Sequence, residues 1–415
     1  MNQEFFVRNR EKLAEKLEDE SLTIMFAGEA PPRSADEEYH FVPNRNFYYI
    51  TGIERPKMVF AAKKIGGKTE EMLFIEEGDP VMAKWVGANM TKEEAKEASG
   101  IDKIFYLDKL TNHVHMALQG EGIEKVNLNL ELQNWDAPLT EAHHFAKTLQ
   151  EKYPHVSIGN VYGTICQLRL VKSPEEVEKI RKAIKITREG IENIMQHAEP
   201  GKMEYELEAH FNYTLQSNGI KEHAFPTIAA TGKNATILHY GENNAKTEDG
   251  DLVLFDLGAA YQYYSADLTR TFPVNGKFSD RQKQLYNIVL KALKETTEMI
   301  KPGVEFSELN KHTKKVLAEG CMKIGLIEKE EDIQKYYYHG VSHSMGLDTH
   351  DVGRYRNLSL EPGMVFTVEP GLYVEEENIG IRIEDDVLVT EDGHENLSEK
   401  MIRTVEDIEA YMASR

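Results

Sequence analysis

Cysteine and long apolar runs are what this sequence most clearly lacks. Among its 415 residues there are two cysteines, Cys166 and Cys321, far apart in the chain. So few cysteines exclude a disulfide framework and favour a reducing compartment, so we expect a cytoplasmic protein. No apolar run approaches the roughly 18 residues that a membrane helix needs. The N-terminus carries charges throughout and does not resemble a signal peptide, so we expect no membrane association.

The sequence also has fewer basic than acidic residues. Lys and Arg number 49 against 70 Asp and Glu, which gives a formal net charge of −21. Such a chain repels the phosphates of nucleic acids, so we expect no nucleic-acid partner. A hydrophobic fraction of 40% with 29% charged residues is typical of a folded protein, and the length allows two domains.

The patterns along the chain change near residue 172. Before it, short apolar runs alternate with helical patterns, which predicts an α/β domain. The expected strands are 21–28, 46–52, 57–64, 70–77 and 125–132, and the expected helices lie near 4–18, 91–98 and 139–151. Ser173, Pro174 and Glu176 form a capping box that predicts a long helix to about His197. We therefore expect an N-terminal domain over 1–172 and a second domain over 173–415.

The second domain repeats a pattern. Two segments that read as helix, Pro-Gly turn and helix centre on Pro200-Gly201 and on Pro302-Gly303. Further on, "GDLVLFDLG" (250–258) aligns with "GMVFTVEPG" (363–371), and each apolar run ends with an acid. We interpret the repeat as a duplication of a helix pair plus a sheet. A site between the halves would then receive one acidic strand end from each.

The first acidic run belongs to a predicted hairpin at 250–274. If the hairpin turns between Tyr261 and Gln262, Asp256 and Asp267 lie directly opposite each other. Two carboxylates that close together repel, and a cation between them would remove the conflict. Two aspartates on a solvent-facing hairpin are the alternative for this pair alone.

The second acidic run supplies two glutamates. Glu369 ends an apolar strand, and "IGIRIEDDVLV" places Glu384 in another strand, on the same face as Arg382. Asp385 and Asp386 fit outward-facing or turn positions, so we leave them out of the site. Carboxylates with one imidazole suit Mn²⁺, Co²⁺, Fe²⁺ or Zn²⁺. Four carboxylates can hold two such ions, which lower the pKa of a shared water so that it can attack an amide or ester carbonyl.

Three of the 15 histidines, His339, His343 and His350, lie between these acids in "HGVSHSMGLDTHDVG". The glycines of this stretch predict a loop or a bent strand rather than a helix. One imidazole as a metal ligand leaves the others to move protons or contact substrate. His239, in "NATILHYGEN", lies upstream of the first acidic strand, and a structural role fits it as well as a functional one.

Over residues 173–415 these strings resemble the pita-bread metallopeptidases, the fold shared by methionine aminopeptidase, prolidase and aminopeptidase P. The resemblance implies a pseudo-symmetric catalytic domain with five metal ligands, Asp256, Asp267, His343, Glu369 and Glu384. It implies that Asp256 holds one metal through both oxygens, that His343 completes the shell of the other, and that Asp267 and Glu384 bridge the two. It also makes Glu369 a proton carrier and places three histidines on the substrate side, His239, His339 and His350. Mn²⁺ is the expected metal, with Zn²⁺, Co²⁺ and Fe²⁺ open.

The N-terminal half resembles the front domain of the aminopeptidase P family, in "PRSADEEYHFVPNRNFYYITGIERPKMVF" and "MAKWVGANM". That resemblance implies removal of the N-terminal residue from peptides with proline second, by a hydroxide between two divalent metals. An X–Pro amide lacks the N–H that general aminopeptidases bind. The family forms homodimers or homotetramers in which one front domain borders a neighbour's active site. Trp85 is the candidate for that contact, and a buried core position is its alternative.

Two further residues lie beside the implied ligands. Arg382 and Tyr373 are candidates for orienting a ligand or contacting substrate. Ordinary pairing with neighbouring carboxylates is the alternative for each.

Three other functions share parts of this pattern. A prolidase has the same metal site but cleaves only Xaa–Pro dipeptides, and the front domain favours aminopeptidase P over it. A metal-free hydrolase such as creatinase lacks the full ligand set, which this chain keeps. An adaptor that binds protein or RNA on the same fold would show lost ligands or a basic insertion, and the sequence has neither.

Overall fold

A computed structural model describes residues 1–415, and the chain divides into two units, Met1–Arg169 and Leu170–Arg415. Both units mix helices with strands, as the sequence predicts. None of the helices is both long enough and apolar enough to cross a membrane.

The first unit holds helices α1 to α7, of which α7 ends one residue beyond the boundary, and strands β1 to β8. The helices are α1 (Gln3–Lys16), α2 (Arg45–Thr51), α3 (Ala83–Val86), α4 (Lys92–Ser99), α5 (Leu110–Gly120), α6 (Glu141–Lys152) and α7 (Tyr162–Leu170). The strands are β1 (Ser21–Phe26), β2 (Pro32–Ser34), β3 (Glu37–Glu38), β4 (Val59–Ile65), β5 (Lys68–Ile75), β6 (Lys103–Tyr106), β7 (Lys125–Leu128) and β8 (Ser157–Asn160). A 3₁₀ turn, Leu107–Lys109, leads into α5.

A mixed six-stranded sheet forms the centre of this unit, in the order β6-β5-β4-β1-β7-β8. β1 pairs antiparallel with β4 and parallel with β7, and all six of its residues are buried, as in a central strand covered on both faces. Ile24 and Val126 of the sheet pack with Val114 of α5 and Leu149 of α6. Four of the five predicted strands and the three predicted helices are therefore confirmed.

The fifth predicted strand, 46–52, is wrong. These residues belong to α2, which begins after Asn44, whose side chain accepts a hydrogen bond from Phe47 N at 3.1 Å. Gly52 ends the helix in the left-handed conformation, with φ of 71°. All residues from 46 to 51 are buried, so the run has neither of the periods that separate a helix from a strand. The asparagine cap and the terminal glycine are the local helix signals.

The second unit holds helices α8 to α12 and strands β9 to β18. The helices are α8 (Pro174–His197), α9 (Glu204–Ser217), α10 (Asp280–Glu298), α11 (Phe306–Lys323) and α12 (Val405–Ala413). The strands are β9 (Ile228–Thr231), β10 (Leu252–Leu257), β11 (Ala260–Tyr261), β12 (Tyr264–Ser265), β13 (Leu268–Pro273), β14 (Val365–Val368), β15 (Gly371–Val374), β16 (Ile379–Arg382), β17 (Asp385–Val389) and β18 (His394–Asn396). The 3₁₀ turns are Gly232–Thr236, Glu330–Lys335 and Glu375–Glu377.

The predicted capping box starts α8. Ser173 Oγ accepts a hydrogen bond from Glu176 N at 3.3 Å, and the Glu176 carboxylate accepts one from Ser173 N at 2.8 Å. Pro174 occupies the first turn, where its missing N–H costs nothing. The helix ends at His197, as predicted.

Two halves of the second unit follow the same chain path. Each starts with a helix pair, α8–α9 or α10–α11, and continues into a three-stranded antiparallel sheet, β13-β10-β9 or β14-β17-β18. A small hairpin separates the acidic strand from its partner in each half: β11–β12 follows β10, and β15–β16 follows β14. The repeat in the sequence therefore corresponds to a repeat in the structure.

Backbone hydrogen bonds repeat between the halves as well. Gly201 N donates to Thr247 O at 2.8 Å, and Gly303 N donates to Leu360 O at 2.9 Å. The two glycines have φ of 94° and 84°, a conformation that a side chain would strain. Each bond ties the turn of a helix pair to the segment that leads into an acidic strand.

The predicted register of the first acidic hairpin is wrong by two residues. Asp256 pairs with Thr269 rather than Asp267, and the turn falls between Gln262 and Tyr263, both with positive φ. A turn of this kind normally carries glycine or asparagine, so the sequence gives no local sign of it. An even shift leaves both aspartates on the same face of the sheet.

The predicted single strand around Glu384 is interrupted, which corrects its placement. β16 ends at Arg382 and β17 begins at Asp385, so Glu384 lies in the break. There the chain leaves its hairpin with β15 and joins the sheet of β14. Glu384 N donates to Thr269 O of the first half at 3.1 Å, a bond between the halves that secures the break.

Candidate metal centre

Acidic side chains from both halves converge with histidines of the loop 339–353. Three overlapping groups each have their candidate ligand atoms within 4.8 Å of one another. The groups are Asp256, Asp267 and Glu384; His343, Glu369 and Glu384; and Asp267, His343 and His350. Together they contain the five side chains that the sequence analysis assigns to metal binding. They also contain His350, which that analysis places on the substrate side.

The four acids arrive in two equivalent pairs. Asp256 lies near the end of β10, and Glu369 directly follows β14. Asp267 directly precedes β13, and Glu384 directly precedes β17. The repeated chain path therefore brings one carboxylate of each kind from each half.

Asp256 has one satisfied oxygen and one unsatisfied oxygen. Arg382 Nη2 donates to Asp256 Oδ2 at 2.6 Å, and both side chains are almost fully buried. Asp256 Oδ1 is buried without a hydrogen-bond partner. A buried carboxylate oxygen is costly to leave unpaired, so this atom fits a metal ligand.

Negative charge is crowded around Asp267 and Glu384. Burial raises the pKa of both carboxyl groups well above their ordinary values, and neighbouring carboxylates raise it further while Arg382 lowers it. One arginine cannot neutralise four acids, whereas divalent cations held by these oxygens would. Carboxylates with an imidazole suit Mn²⁺, Co²⁺, Fe²⁺ or Zn²⁺, so the residues fit the metals that the sequence predicts.

Thr269 orients two of the charged groups. Its Oγ1 donates to Glu384 Oε2 at 2.7 Å and accepts from Arg382 Nε at 3.1 Å. Both side chains therefore reach the same side of the sheet in spite of the break between β16 and β17. A ligand and the cation beside it are thus held by one buried hydroxyl, as is typical of groups that surround metal ligands.

The imidazole of His343 lies against the acidic side chains. Its Nε2 lies 3.3 Å from Asp267 Oδ2 and 3.8 Å from Glu369 Oε1. His343 N donates to Thr367 Oγ1 at 3.2 Å, and Thr367 N donates to His343 O at 3.0 Å. The loop, which contains no helix, as predicted, is therefore fixed against β14.

Glu369 is suited to proton transfer. Burial raises the pKa of its carboxyl group to about 7, and the nearby charges of His343 and Arg382 act in the opposite direction. A carboxyl group that titrates close to neutrality can both accept and return a proton at physiological pH.

Hydrogen bonds connect Arg382 to His339 through Tyr373. Arg382 Nη1 donates to Tyr373 OH at 3.0 Å, and Tyr373 OH lies 2.9 Å from His339 Nε2. His339 Nδ1 lies 2.8 Å from the carbonyl oxygen of Gly340, which can only accept, so Nδ1 carries the proton and Nε2 accepts from the tyrosine. Burial, with a smaller contribution from the charge of Arg382, lowers the pKa of His339 to about 4. His339 is therefore a neutral imidazole.

His350 and His239 complete the imidazole group. The ring of His350 meets that of His343 edge to face, with centroids 4.3 Å apart. Burial lowers the pKa of His350, and the charges of His343 and His239 lower it further. The charge of His239 also lowers the pKa of His339, so His239 lies at the same site. His239 and His350 are exposed, where a substrate can reach them.

Trp85 belongs to the other unit, on the short helix α3. Its side chain is 82% exposed, so the alternative of a buried core aromatic is wrong. Val81, Met82 and Val86 beside it are exposed as well. No local pattern indicates this exposure, because apolar residues of this kind fit a buried position equally well.

Asp385 and Asp386 were not predicted to belong to the site, but both contact the backbone or neighbours of candidate ligands. Both are fully buried. Arg270 donates to Asp385 Oδ1 through Nη2 and to the backbone oxygen of Glu384 through Nη1, each at 2.6 Å. Asp386 Oδ2 accepts a hydrogen bond from Asp267 N at 3.2 Å. Outward-facing or turn positions are therefore wrong for both, and acids inside an apolar run beside a candidate ligand were the available signal.

An ion pair missed by the sequence analysis lies beneath the histidine loop. Lys172 Nζ lies 3.1 Å from Asp351 Oδ2, and each side chain is 1% exposed. The same Nζ donates to Ser344 Oγ at 3.3 Å. Ser344 follows His343, and Asp351 follows His350. The buried ammonium group of Lys172 therefore fixes the backbone next to both histidines. No local pattern joins a lysine to residues so distant in sequence.

Family models match both units. Residues 178–391 match metallopeptidase family M24, and residues 6–126 match the N-terminal domain of aminopeptidase P. The Xaa-Pro aminopeptidase of Escherichia coli (strain K12) is 33% identical to this chain, over 99% of the chain and 97% of that protein.

Solved structures agree with these matches. A Bacillus anthracis structure assigned to aminopeptidase P has a TM-score of 0.99 at 58% identity, covering 100% of this chain and 99% of that one. A zinc-substituted aminopeptidase P from E. coli in complex with product has a TM-score of 0.93 at 33% identity, with the same coverage. The chain therefore belongs to metallopeptidase family M24, in the group that carries the aminopeptidase P N-terminal domain. It is a metal-dependent aminopeptidase, and the predicted fold class is confirmed.

Proposed function

We propose that this enzyme removes the N-terminal residue from peptides whose second residue is proline, using two divalent metal ions. The observation that carries the proposal is the cluster itself, in which four carboxylates and His343 form overlapping ligand groups beside further histidines. The aminopeptidase P N-terminal domain and the Xaa-Pro aminopeptidase relatives support the choice of substrate.

The five proposed ligands keep the roles that the sequence analysis gives them: Asp256, Asp267, His343, Glu369 and Glu384. Asp267, Glu384 and His343 each belong to two of the ligand groups. Of these three, the two carboxylates have a pair of oxygens that could hold one metal each, which supports a bridging position for Asp267 and Glu384. Mn²⁺ is the proposed metal, and the oxygen-rich ligand set supports it without distinguishing it from Zn²⁺, Co²⁺ or Fe²⁺. Bound divalent metals supply Lewis acidity and a nucleophile at neutral pH.

Glu369 is the proposed proton carrier. It accepts a proton from the attacking water at its carboxylate and returns it to the proline nitrogen as that nitrogen leaves. The leaving group needs this proton because an amine nitrogen that left without one would be an anion far too basic to be released near neutral pH. Its position supports the role, because Glu369 Oε1 lies 3.8 Å from His343 Nε2 and Oε2 lies 3.7 Å from His339 Nδ1, so the carboxylate lies between the ligand group and the substrate side.

The other histidines are proposed to act on the substrate. His239 and His350 are exposed at the site, which supports contact with the peptide carbonyl or its tetrahedral intermediate. His339 is neutral, with both nitrogens hydrogen-bonded, so it holds Tyr373 and Arg382 in place as well. Arg382 and Tyr373 position Asp256 and His339, and we propose that Tyr373 also faces the peptide.

The first unit is proposed to control substrate access and assembly. Trp85 would approach the active site of a neighbouring subunit in a homodimer or homotetramer, and its 82% exposure supports a partner for it. Trp135, which is 94% exposed in the same unit, offers a matched control. Trp85→Ala should raise KM while Trp135→Ala leaves it unchanged, and sedimentation gives the subunit number. An equal change of KM in the two variants would contradict a contact between Trp85 and a neighbouring active site.

The proposed location is the cytoplasm. Its support is that Cys166 and Cys321 are both buried and form no disulfide, which suits a reducing compartment.

The test is release of arginine from Arg-Pro-Pro and, separately, from Arg-Pro by the purified protein with Mn²⁺. We expect cleavage of the tripeptide that stops when a chelator is added. Glu384→Ala should lack this activity, and Glu391→Ala, at an exposed glutamate nearby, should keep it. Release from the dipeptide alone would identify a prolidase. Release from neither substrate with Mn²⁺, Zn²⁺, Co²⁺ or Fe²⁺ would contradict the proposed function.

A further inference from the structure

Glu204, in the first turn of α9, is a fully buried carboxylate outside the metal centre. Its Oε1 accepts hydrogen bonds from Thr231 N at 2.7 Å and from Asn234 Nδ2 at 3.3 Å. Its Oε2 accepts from Ala245 N at 2.9 Å and from Tyr240 OH at 3.0 Å. All four donors belong to one segment, residues 231–245, so this single side chain gathers the whole segment around itself.

The equivalent position in the other half shows that the fold does not require this carboxylate. Glu204 N donates to Ala245 O at 2.9 Å, and Phe306 N, at the start of α11, donates to Leu358 O at 3.1 Å. The backbone connection is therefore the same in both halves. Phe306 nevertheless packs against Tyr355 at this place, with ring centroids 5.1 Å apart. An apolar side chain serves the second half, and a carboxylate appears only where the segment 231–245 must be held.

The segment 231–245 carries His239. Tyr240, which donates to Glu204, is the next residue, so the anchor acts one position from this imidazole. Tyr338 OH donates to Thr236 O of this segment at 3.0 Å, so the segment lies beside the histidine loop that begins at His339. The charge of His239 lowers the pKa of both His339 and His350, which agrees with a place among the substrate-side histidines.

A close contact fixes the other side of the same segment. The 3₁₀ turn Gly232–Thr236 packs against β16 at Gly380, where an added Cβ would lie 2.0 Å from the carbonyl oxygen of Ala235. β16 leads directly to Arg382 of the metal centre. The segment is therefore held between Glu204 and the strand that supplies that arginine, and the position of His239 depends on both.

We propose that Glu204 is a positioning residue for His239: it sets the segment 231–245 so that the imidazole meets the substrate. This inference rests on the proposed function, since it assumes that His239 contacts the peptide. It assigns no metal ligand and no proton transfer to Glu204.

The test compares Glu204→Gln with Glu206→Gln. Glutamine keeps the shape of Glu204 but turns an NH₂ group toward hydrogen-bond donors, whereas Glu206 is exposed and accepts only from Met203 N of its own helix end. We expect Glu204→Gln to bind the metals normally and to lose roughly 10- to 100-fold in kcat/KM on Arg-Pro-Pro, as a displaced contact would. Glu206→Gln should match the wild type.

A double-mutant cycle separates positioning from general stabilisation. His239→Ala should cost much less in the Glu204→Gln background than in the wild type, because the imidazole is already misplaced there. Independent losses that multiply, or a Glu204→Gln variant with wild-type kinetics, would overturn the proposal.

Two further measurements cover the remaining outcomes. Tyr240→Phe removes one donor and should give a smaller loss in the same direction, which decides the matter if Glu204→Gln does not fold. Amide exchange at Thr231 and Ala245 should quicken in Glu204→Gln without faster exchange in α11. If the wild type cleaves no peptide, the proposed function fails, and unchanged exchange at those two amides would then also reject the anchor.

Discussion

The two halves of the second unit share a chain path but place different side chains on it. Both supply an acid at the end of one strand and another immediately before its partner strand: Asp256 and Asp267 from the first half, Glu369 and Glu384 from the second. Both fix the turn of the helix pair by the same backbone hydrogen bond. A repeated backbone is therefore enough to explain where the four candidate ligands lie.

The halves differ in what surrounds those acids. The second half contributes His339, His343 and His350, and the first contributes only His239 among the histidines at the site. Arg382 stands two residues before Glu384, and Ser265 stands two residues before Asp267. The shared path positions the metal ligands, and the differences create a substrate side.

Removing either bridging candidate should abolish turnover. Asp267→Ala and Glu384→Ala occupy equivalent positions, so we expect equal losses, roughly 10³-fold or more in kcat, because each disrupts metal groups worth several kcal/mol. Metal content and arginine release from Arg-Pro-Pro provide the measurement, with Glu391→Ala as control. Near-normal activity of either variant after thorough metal removal would contradict a dinuclear site.

Replacing the arginine that only the second half supplies should also cost much activity. Arg382→Met leaves Asp256 Oδ2 and Tyr373 OH without their donor, and we expect roughly a 100-fold loss of kcat/KM. The positive charge of Arg382 lowers the pKa of Glu369, so its removal should raise that pKa and move the acid limb of the pH–rate profile to higher pH. Arg382→Lys should restore part of both properties. A profile that stays in place in Arg382→Met would show that the arginine does not act on the titrating group.

His350→Ala should keep its metal and lose roughly 100-fold in kcat, as expected for a group that stabilises charge or moves a proton. The structure makes this test sharp, because His350 also belongs to a possible ligand group with Asp267 and His343. Metal content per chain separates the two roles. Loss of one metal in His350→Ala would make it a ligand and would leave the first half's His239 as the main exposed substrate histidine.

Metal binding should release protons at pH 7. Burial raises the pKa of Glu369 to about 7, and it raises the pKa values of Asp267 and Glu384 well above their ordinary values. The metal-free protein therefore holds protons that ordinary carboxyl groups have lost, and ligation must displace them. For the same reason the metal-free protein should lose stability as pH rises from about 4 toward the raised pKa values, because the folded state then binds more protons than the unfolded state. Titration calorimetry in buffers of different ionisation enthalpy measures the number of protons released when the metal binds. Proton uptake, or no change in bound protons, would contradict the raised pKa values of these carboxyl groups.

Sequence patterns predict the parts of this molecule that depend on local chemistry. The capping box of Ser173 and Glu176, the Pro-Gly turns and the strands with clear apolar runs appear as predicted, because each depends on neighbours in the chain. The helix α2 does not, because burial on every side removes its periodicity. The predicted register of the first acidic hairpin is wrong as well. Gln262 and Tyr263 adopt positive φ, where glycine or asparagine is usual, so the position of the turn has no signal in the sequence.

The supporting residues of the site are the least predictable part. Asp385 and Asp386 read as surface acids until Arg270 and Asp267 are seen beside them. Lys172 and Glu204 act on segments far along the chain, and only the folded structure brings each to its partners. Charged groups buried by long-range contacts leave no periodic signal in the sequence.

The most direct test of the account is to count the metal ions that restore activity. Metal-free protein would be titrated with Mn²⁺ while bound metal and arginine release from Arg-Pro-Pro are followed together. The convergence of two acidic pairs predicts two ions per chain, with activity complete only when both are bound. Full activity at one ion per chain, with no second ion bound, would contradict the claim that the two halves together form a dinuclear centre.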